Sequence, residues 1–290
     1  MLRQRVITAV IMLAIFLPAL FYPDARPFFA LTLLLMAAAA WEWGRLNDLG
    51  FPGASLMGLL FACMCVLSWA AGLIERDLSW IWSLAGLVWV LGGGWLLARG
   101  QVAWHGLGRG LRCALGLMLL WAAWLAVVQA RRLGVDMLLS VLTLVWLADI
   151  AAYFAGRALG GRFIARKLAP AISPGKSWEG ALGGALAVVL LGLVWSLIET
   201  GLNLPTHQRG LHGQLLERHG LFLLSLALLF LSAMSVVGDL IESLLKRHAG
   251  VKDSSRLLPG HGGVLDRIDA LLPVLPLAMM LLSHRGGGGA

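Results

Sequence analysis

LFLLSLALLFLSAMSVVGDLIESLLKR, residues 221–247, decides how the rest of the chain is read. From Leu221 to Gly238 it carries no charge, and then Asp239, Glu242, Lys246 and Arg247 arrive in quick succession. A helix over this stretch is about 40 Å long at 1.5 Å per residue, against a hydrocarbon core of about 30 Å. Its last turns therefore reach the membrane interface. On that helix Asp239, Glu242, Ser243, Lys246 and Arg247 fall at i, i+3, i+4, i+7 and i+8, along one stripe. The stripe begins with an acid at membrane depth, which costs about 2.5–3.5 kcal/mol on insertion scales. An interfacial anchor needs no such acid, whereas a ligand for a cation does.

The same apolar texture recurs along the chain. Of its 290 residues 59% are hydrophobic and 13% charged, where soluble domains run at about 25% charged. The apolar residues come in long blocks rather than alternating positions, which excludes a β-barrel and predicts an all-α polytopic bundle. Runs able to cross a bilayer lie at Val6–Tyr22, Pro27–Gly44, Ala54–Leu73, Leu78–Ala98, Cys113–Ala130, Val135–Phe154, Ala181–Ile198 and Leu221–Leu245. A ninth, Ala270–Ser283, is short and carries Pro273 and Pro276, so the expectation is eight or nine spans. The first run has no small-residue cleavage site after it and reads as a retained span, not a leader. Residues 1–134 then form an N-terminal group of about five spans, and residues 135–290 a C-terminal region holding the chemistry. The tail Gly286–Ala290 reads as disordered.

The net charge of +8 does not point to nucleic acid, because the cations are spread over short connections between spans. With nine spans and a cytoplasmic N-terminus, 16 of the 23 basic residues fall on the cytoplasmic side. Arg131 and Arg132 fall on the other. Cys63, Cys65 and Cys113 lie in or beside apolar runs and form neither a disulfide framework nor a zinc site. His207, His212 and His219, on the far side, match no tight ligand spacing. There is no internal repeat of the inverted-repeat transporter kind.

Two cytoplasmic connections carry the chemistry. In HGGVLDRID, residues 261–269, Gly262 and Gly263 allow tight backbone and close ligand approach. Asp266 and Asp269 sit at i, i+3, and with Asp239 they make three carboxylates able to converge. Such hard oxygen ligands suit Mg²⁺, held by one or two carboxylates plus substrate phosphates. Lys246, Arg247, Lys252, Arg256 and Arg267 surround them, and carboxylates for a metal ringed by cations for phosphate is the requirement of phosphoryl or nucleotidyl transfer. Asp149 is a further acid near the cytoplasmic end of a span. The connection after it ends in Ser173-Pro174-Gly175-Lys176-Ser177, which is not a P-loop: position 170 is proline and no strand precedes it. A serine- and lysine-bearing loop can still hold a triphosphate.

At these residues the chain resembles the phosphatidate cytidylyltransferase (CDP-diacylglycerol synthase) family. That family's signature reads S-x-hydrophobic-K-R, four residues, K-D, then H-G-G-x-x-D-R-x-D. Here it is Ser243, Leu245, Lys246, Arg247, Lys252, Asp253, His261, Gly262, Gly263, Asp266, Arg267 and Asp269. The upstream Ser173-Pro174-Gly175-Lys176-Ser177-Trp178-Glu179-Gly180 is similar to the family's Ser-Pro-Lys-Lys-Thr-x-Glu-Gly, with Gly175 replacing a lysine and Ser177 a threonine. The resemblance implies the reaction of CTP with phosphatidate to CDP-diacylglycerol and pyrophosphate, with Mg²⁺ as one cation or one of two. It implies Asp239 and Asp266 as metal-binding acids, with Asp269 as a helper. Lys246, Arg247, Lys252 and Arg267 are expected on phosphate oxygens, Ser243 on a phosphate or a metal-bound water, and His261 on a phosphate or the cytosine. Ser173, Lys176 and Ser177 are expected at the nucleotide. The implied partners are CTP, phosphatidic acid and the bilayer of the cell (inner) membrane, with a homodimer allowed and the active site facing the cytoplasm. The rival reading is an ion-coupled secondary transporter using Asp149, Asp239 and Asp266, against which stand the clustered cations and the HGG turn.

Overall fold

The computed structural model describes residues 2–283, so the Gly286–Ala290 tail lies outside the described residues. Among the described residues the chain forms helices and loops, with two isolated β-bridges, Ala169 to Ser173 and Leu258 to Gly262. The helices are α1 (Leu2–Phe21), α2 (Arg26–Leu46), α3 (Phe51–Ala70) and α4 (Ser79–Arg99), the last with a π-helical stretch at Val88–Gly92. There follow α5 (Gln101–Gly106), α6 (Arg109–Leu133), α7 (Val135–Leu159), α8 (Trp178–Gly201), α9 (Leu211–His248), α10 (Leu265–Ile268) and α11 (Leu271–Ser283). Pro27 and Pro52 stand in the first turns of α2 and α3, where their fixed φ suits a helix start and the missing N–H costs nothing. Gly134 alone separates α6 from α7, at φ 148°, and so short a link makes those helices antiparallel neighbours.

Among the described residues, eight helices are long and apolar enough to cross a membrane, in the expected places. They have no strong polar face, so position in the bundle is set by packing: Trp124, Leu138, Val188 and Leu228 are buried, while Leu34, Leu67, Leu197 and Phe222 face outward. Small residues bring α7 and α8 together. A Cβ added at Gly184 would lie 2.7 Å from the Ala148 carbonyl, and one at Gly180 2.9 Å from that of Ala152.

The ninth run behaves differently. The 13 described residues of α11 span about 20 Å. Leu271 to Met279 are buried, packed against α4, α6 and α9. It is an interior helix. Gly238 on α9 lets its start come close, since a Cβ there would lie 2.4 Å from the Asp269 carbonyl oxygen.

Two further details revise the simplest reading of the chain. The Thr206–Gly220 connection is helical from Leu211, which is buried with Leu215, and joins the span through a non-helical Gly220 at φ 75°. His212 is buried against Trp195, His207 is exposed, and the three histidines do not gather. Arg131 and Arg132, the cations on the unexpected side, have structural partners. Arg131 is buried and donates to the carbonyls of Leu20 (2.8 Å) and Tyr22 (2.7 Å) at the end of α1, where a helix leaves acceptors unpaired. Arg132 pairs with Glu75 at 3.4 Å.

Candidate active site

At one end of the bundle two loops face each other, residues 160–177 between α7 and α8 and residues 249–264 between α9 and α10. A loop beside apolar helices must satisfy its own backbone donors, and each loop is held by a buried glutamate. Glu179, in the first turn of α8, accepts from the amides of Gly161 (3.1 Å), Phe163 (3.1 Å) and Ile164 (2.9 Å). Ser177 caps α8, its Oγ accepting from the Gly180 amide at 3.1 Å.

The second loop is held from much farther away. Glu42, on α2 and fully buried, accepts from the amides of Val264 (2.9 Å) and Leu265 (2.6 Å) and from the hydroxyls of Ser254 (3.2 Å) and Ser255 (2.5 Å). Asp266 completes the frame. One oxygen accepts from the Lys246 ammonium (2.6 Å), the other from the Ser254 amide (2.9 Å), the Ser254 hydroxyl (2.9 Å) and the Gly263 amide (2.7 Å). Burial works against its charge, but hydrogen bonds with Glu242, Lys246 and Gly263 outweigh that and hold its carboxyl at about 2. The two glycines have separate reasons. Gly262 is left-handed, at φ +84°, and at Gly263 a Cβ would lie 2.0 Å from Ser254 Oγ and 2.3 Å from Glu42 Oε1.

Between α7, α8 and α9 lies a cavity of about 520 Å³. Its deeper wall is apolar, with Ala148, Ala152, Gly184 and Val236, while Asp149, Arg157, Ser173, Lys176 and Asp239 line it toward the loops. The Lys176 ammonium forms an ion pair with Asp239, and Ser243 Oγ donates to the other Asp239 oxygen at 3.3 Å. Lys246 pairs with both Glu242 and Asp266, so the stripe on α9 links the cavity to the 249–264 loop. Asp269 lies within the field of these acids. Burial, then the charges of Asp239 and Asp149, push its carboxyl up to about 8.

The expected residues therefore divide. Asp239, Ser173, Lys176 and Ser177 line the cavity, Ser243 adjoins it through Asp239, and Lys246 bridges from Glu242 to Asp266. Among the described residues no three carboxylates, histidines or cysteines stand close enough to share an ion, so Asp239, Asp266 and Asp269 are not gathered as one ligand set. The Ser177 Oγ, which accepts the cap bond from Gly180, keeps its O–H as a donor at that cavity. Lys252 and Arg267 are exposed near the loop, Arg247 is exposed with its Nε 3.4 Å from the Ile172 carbonyl, and the His261 Nδ1 is buried without a partner. Glu42 was absent from the sequence reading. Its signal was there: an acid inside an apolar run, at WEWGR.

An apolar cavity opening onto paired acids and cations, at the ends of membrane helices, marks a membrane protein whose site joins an apolar part to a charged one. Residues 3–284 match the Cytidylyltransferase family, and the chain belongs to that family. It is 40% identical to the phosphatidate cytidylyltransferase of Pseudomonas aeruginosa over 99% of both chains. It is 36% identical to that of Haemophilus influenzae, over 95% of this chain and 96% of the other. It is 32% identical to that of Staphylococcus saprophyticus, over 97% of this chain and 99% of the other.

Proposed function

We propose that the chain transfers a cytidylyl group from CTP to phosphatidate, giving CDP-diacylglycerol and pyrophosphate. The observation that carries this is the ion pair of Lys176 with Asp239 inside a cavity that is apolar at depth and charged at its mouth. A phosphate oxygen of phosphatidate attacks the α-phosphorus of CTP, and the bond to the β-phosphate oxygen breaks as pyrophosphate leaves. No general base is required, because the lipid phosphate is already ionised near neutral pH. The work of the protein is alignment and charge neutralisation. Lys176 and Arg157 at the mouth are placed to take phosphate oxygens, with Lys246, Arg247, Lys252 and Arg267 as further cations on the 249–264 side.

The donor chemistry suits Mg²⁺, although no cage is preformed. Asp239 and Asp269 offer hard oxygens in a field so negative that Asp269 is pushed toward its neutral form, and Mg²⁺ needs only one or two carboxylates beside substrate phosphates. When bound, the ion would supply charge neutralisation on the triphosphate. Asp266, whose oxygens are taken by Lys246, Ser254 and Gly263, serves this reading as the frame that holds Lys246 and the loop. The distribution of basic residues supports placing the charged end on the cytoplasmic side of the cell (inner) membrane.

The test is pyrophosphate release by purified protein with CTP, phosphatidate and Mg²⁺, omitting each in turn. Turnover needing all three, and lost in Asp239→Asn, is expected. Folded wild-type protein that releases no pyrophosphate would overturn the assignment and leave ion-coupled transport through Asp149 and Asp239 to be assayed.

A further inference from the structure

A second cavity, of about 200 Å³, lies where α4, α5 and α6 meet α9, and its wall from α9 is Ile241. The π-helical stretch Val88–Gly92 forms one side, and Trp43, Trp89, Trp95 and Trp104 surround it. It is almost entirely apolar, yet it contains unmet donors. The indole N–H groups of Trp89 and Trp104 are buried without acceptors. Buried indoles ordinarily find a partner, and leaving a donor unpaired costs about 1–3 kcal/mol.

The loop-side end of the slot is cationic. Trp104 lies under the Arg112 guanidinium, 5.9 Å from it, and Trp43 Nε1 donates to the Arg112 carbonyl at 3.0 Å. Arg112 is 8% exposed, and among the described residues it has no carboxylate partner. Its Nε is buried and unpaired, and its Nη1 lies 2.9 Å from His248 Nε2. His105 stacks near His248, with ring centroids 5.6 Å apart. Arg109, one turn before Arg112, is exposed at the start of α6, which has no side-chain cap. Asp48 is an acid that bears on this cluster, through His248.

Three buried donors without acceptors, an apolar slot and an excess of cation at its interfacial end describe one ligand chemistry. We propose that this site binds an anionic phospholipid, its phosphate on Arg112, His248 and His105 and one acyl chain in the tryptophan-lined slot. The glycerol ester oxygens supply acceptors for the indoles. The site is separate from the catalytic cavity, with Ile241 lining one and Asp239 the other. It does not depend on the cytidylyltransferase reading. Basic pockets between spans are a common place for acidic lipid headgroups.

Native mass spectrometry of the full chain released from detergent, titrated separately with dioleoyl phosphatidylglycerol, phosphatidate and phosphatidylcholine, tests this. One phosphatidylglycerol per chain should be retained in preference to phosphatidylcholine, with phosphatidate able to occupy the catalytic cavity as well. Arg112→Gln and Arg109→Gln should each lower retention roughly fivefold. Because Arg112 is buried, the exposed pair His105→Ala with Arg109→Gln guards against a folding artefact. Gly92→Leu adds bulk at the slot's lining, where a Cβ meets only Val88 at 3.9 Å, and should also lose the lipid. Retention of phosphatidate but not phosphatidylglycerol, unchanged in Gly92→Leu, would assign the lipid to the catalytic cavity and overturn the proposal. Equal retention of phosphatidylcholine, or retention unchanged in both the exposed pair and Gly92→Leu, would overturn the proposal.

Discussion

The two loops of the charged end are held by the same device from different distances. Glu179 pins residues 160–177 from the helix that follows them, over separations of 15 to 18 residues. Glu42 pins residues 249–264 across 212 residues or more, from a helix in the other half of the chain. The first is a local closure that α8 supplies to its own entrance. The second makes the N-terminal spans part of the active-site frame, although by sequence they show little beyond hydrophobicity. The difference also explains the glycines. Gly263 must lack a side chain because Glu42 and Ser254 come within 2.3 Å of where a Cβ would be, whereas Gly175 has nothing within 4 Å.

The largest effect is expected where the two loops meet the cavity. Asp239→Asn removes the partner of Lys176, and pyrophosphate release should fall by about 10³-fold with the protein still folded. Glu42→Ala comes next. Four donors lose their shared acceptor, so thermal stability should drop by about 3–5 kcal/mol, with faster tryptic cleavage near Lys252 and Arg256. Glu179→Ala, with fewer buried donors at stake, should cost about 1–3 kcal/mol and expose residues 160–177 alone. Equal losses in the two alanine variants would break the distinction between local and long-range pinning.

Asp269 sharpens the picture by pH. Its folded carboxyl titrates at about 8 against 3.8 for the free group, so the folded state binds the extra proton between those values. Stability from this residue is therefore present at low pH and is lost as pH rises toward 8. Asp269→Asn should flatten that decline in melting temperature and abolish any Mg²⁺-dependent rise at pH 8. The smallest effect is expected at Gly175. Its Cβ position is open and its φ is not in the left-handed region, so Gly175→Lys should fold normally and lower the KM for CTP a few-fold. An unchanged KM would leave that lysine position without a role in nucleotide binding.

Much of this was legible from residues alone, where one principle dominates. Long uncharged runs give spans because lipid supplies no hydrogen bonds, and the i, i+3, i+4 stripe from Asp239 to Lys246 followed from helical geometry. The rest depended on tertiary contacts. The helical Leu211–His219 segment is polar in composition, and Leu211 to Leu215 are buried only by their tertiary context. The convergence of Asp266 with Asp239 was expected from spacing, but spacing does not reveal that Ser254 and Gly263 occupy the Asp266 oxygens. Ser177, expected at the substrate, lines the cavity and also caps α8, a second task that its place in the sequence does not reveal. Glu42 stood in plain view, but no local pattern names a partner more than 200 residues away.

That separation has a consequence for how the protein is made. Ribosomes add about 5–20 residues per second, so roughly 10–40 s pass between the synthesis of Glu42 and that of Ser254. During that interval α2 carries a carboxylate whose four donors do not yet exist. The charged end can therefore be sealed only when the last segment of the nascent chain arrives, and a chain that stalls before residue 254 enters the membrane with its future active site unlatched.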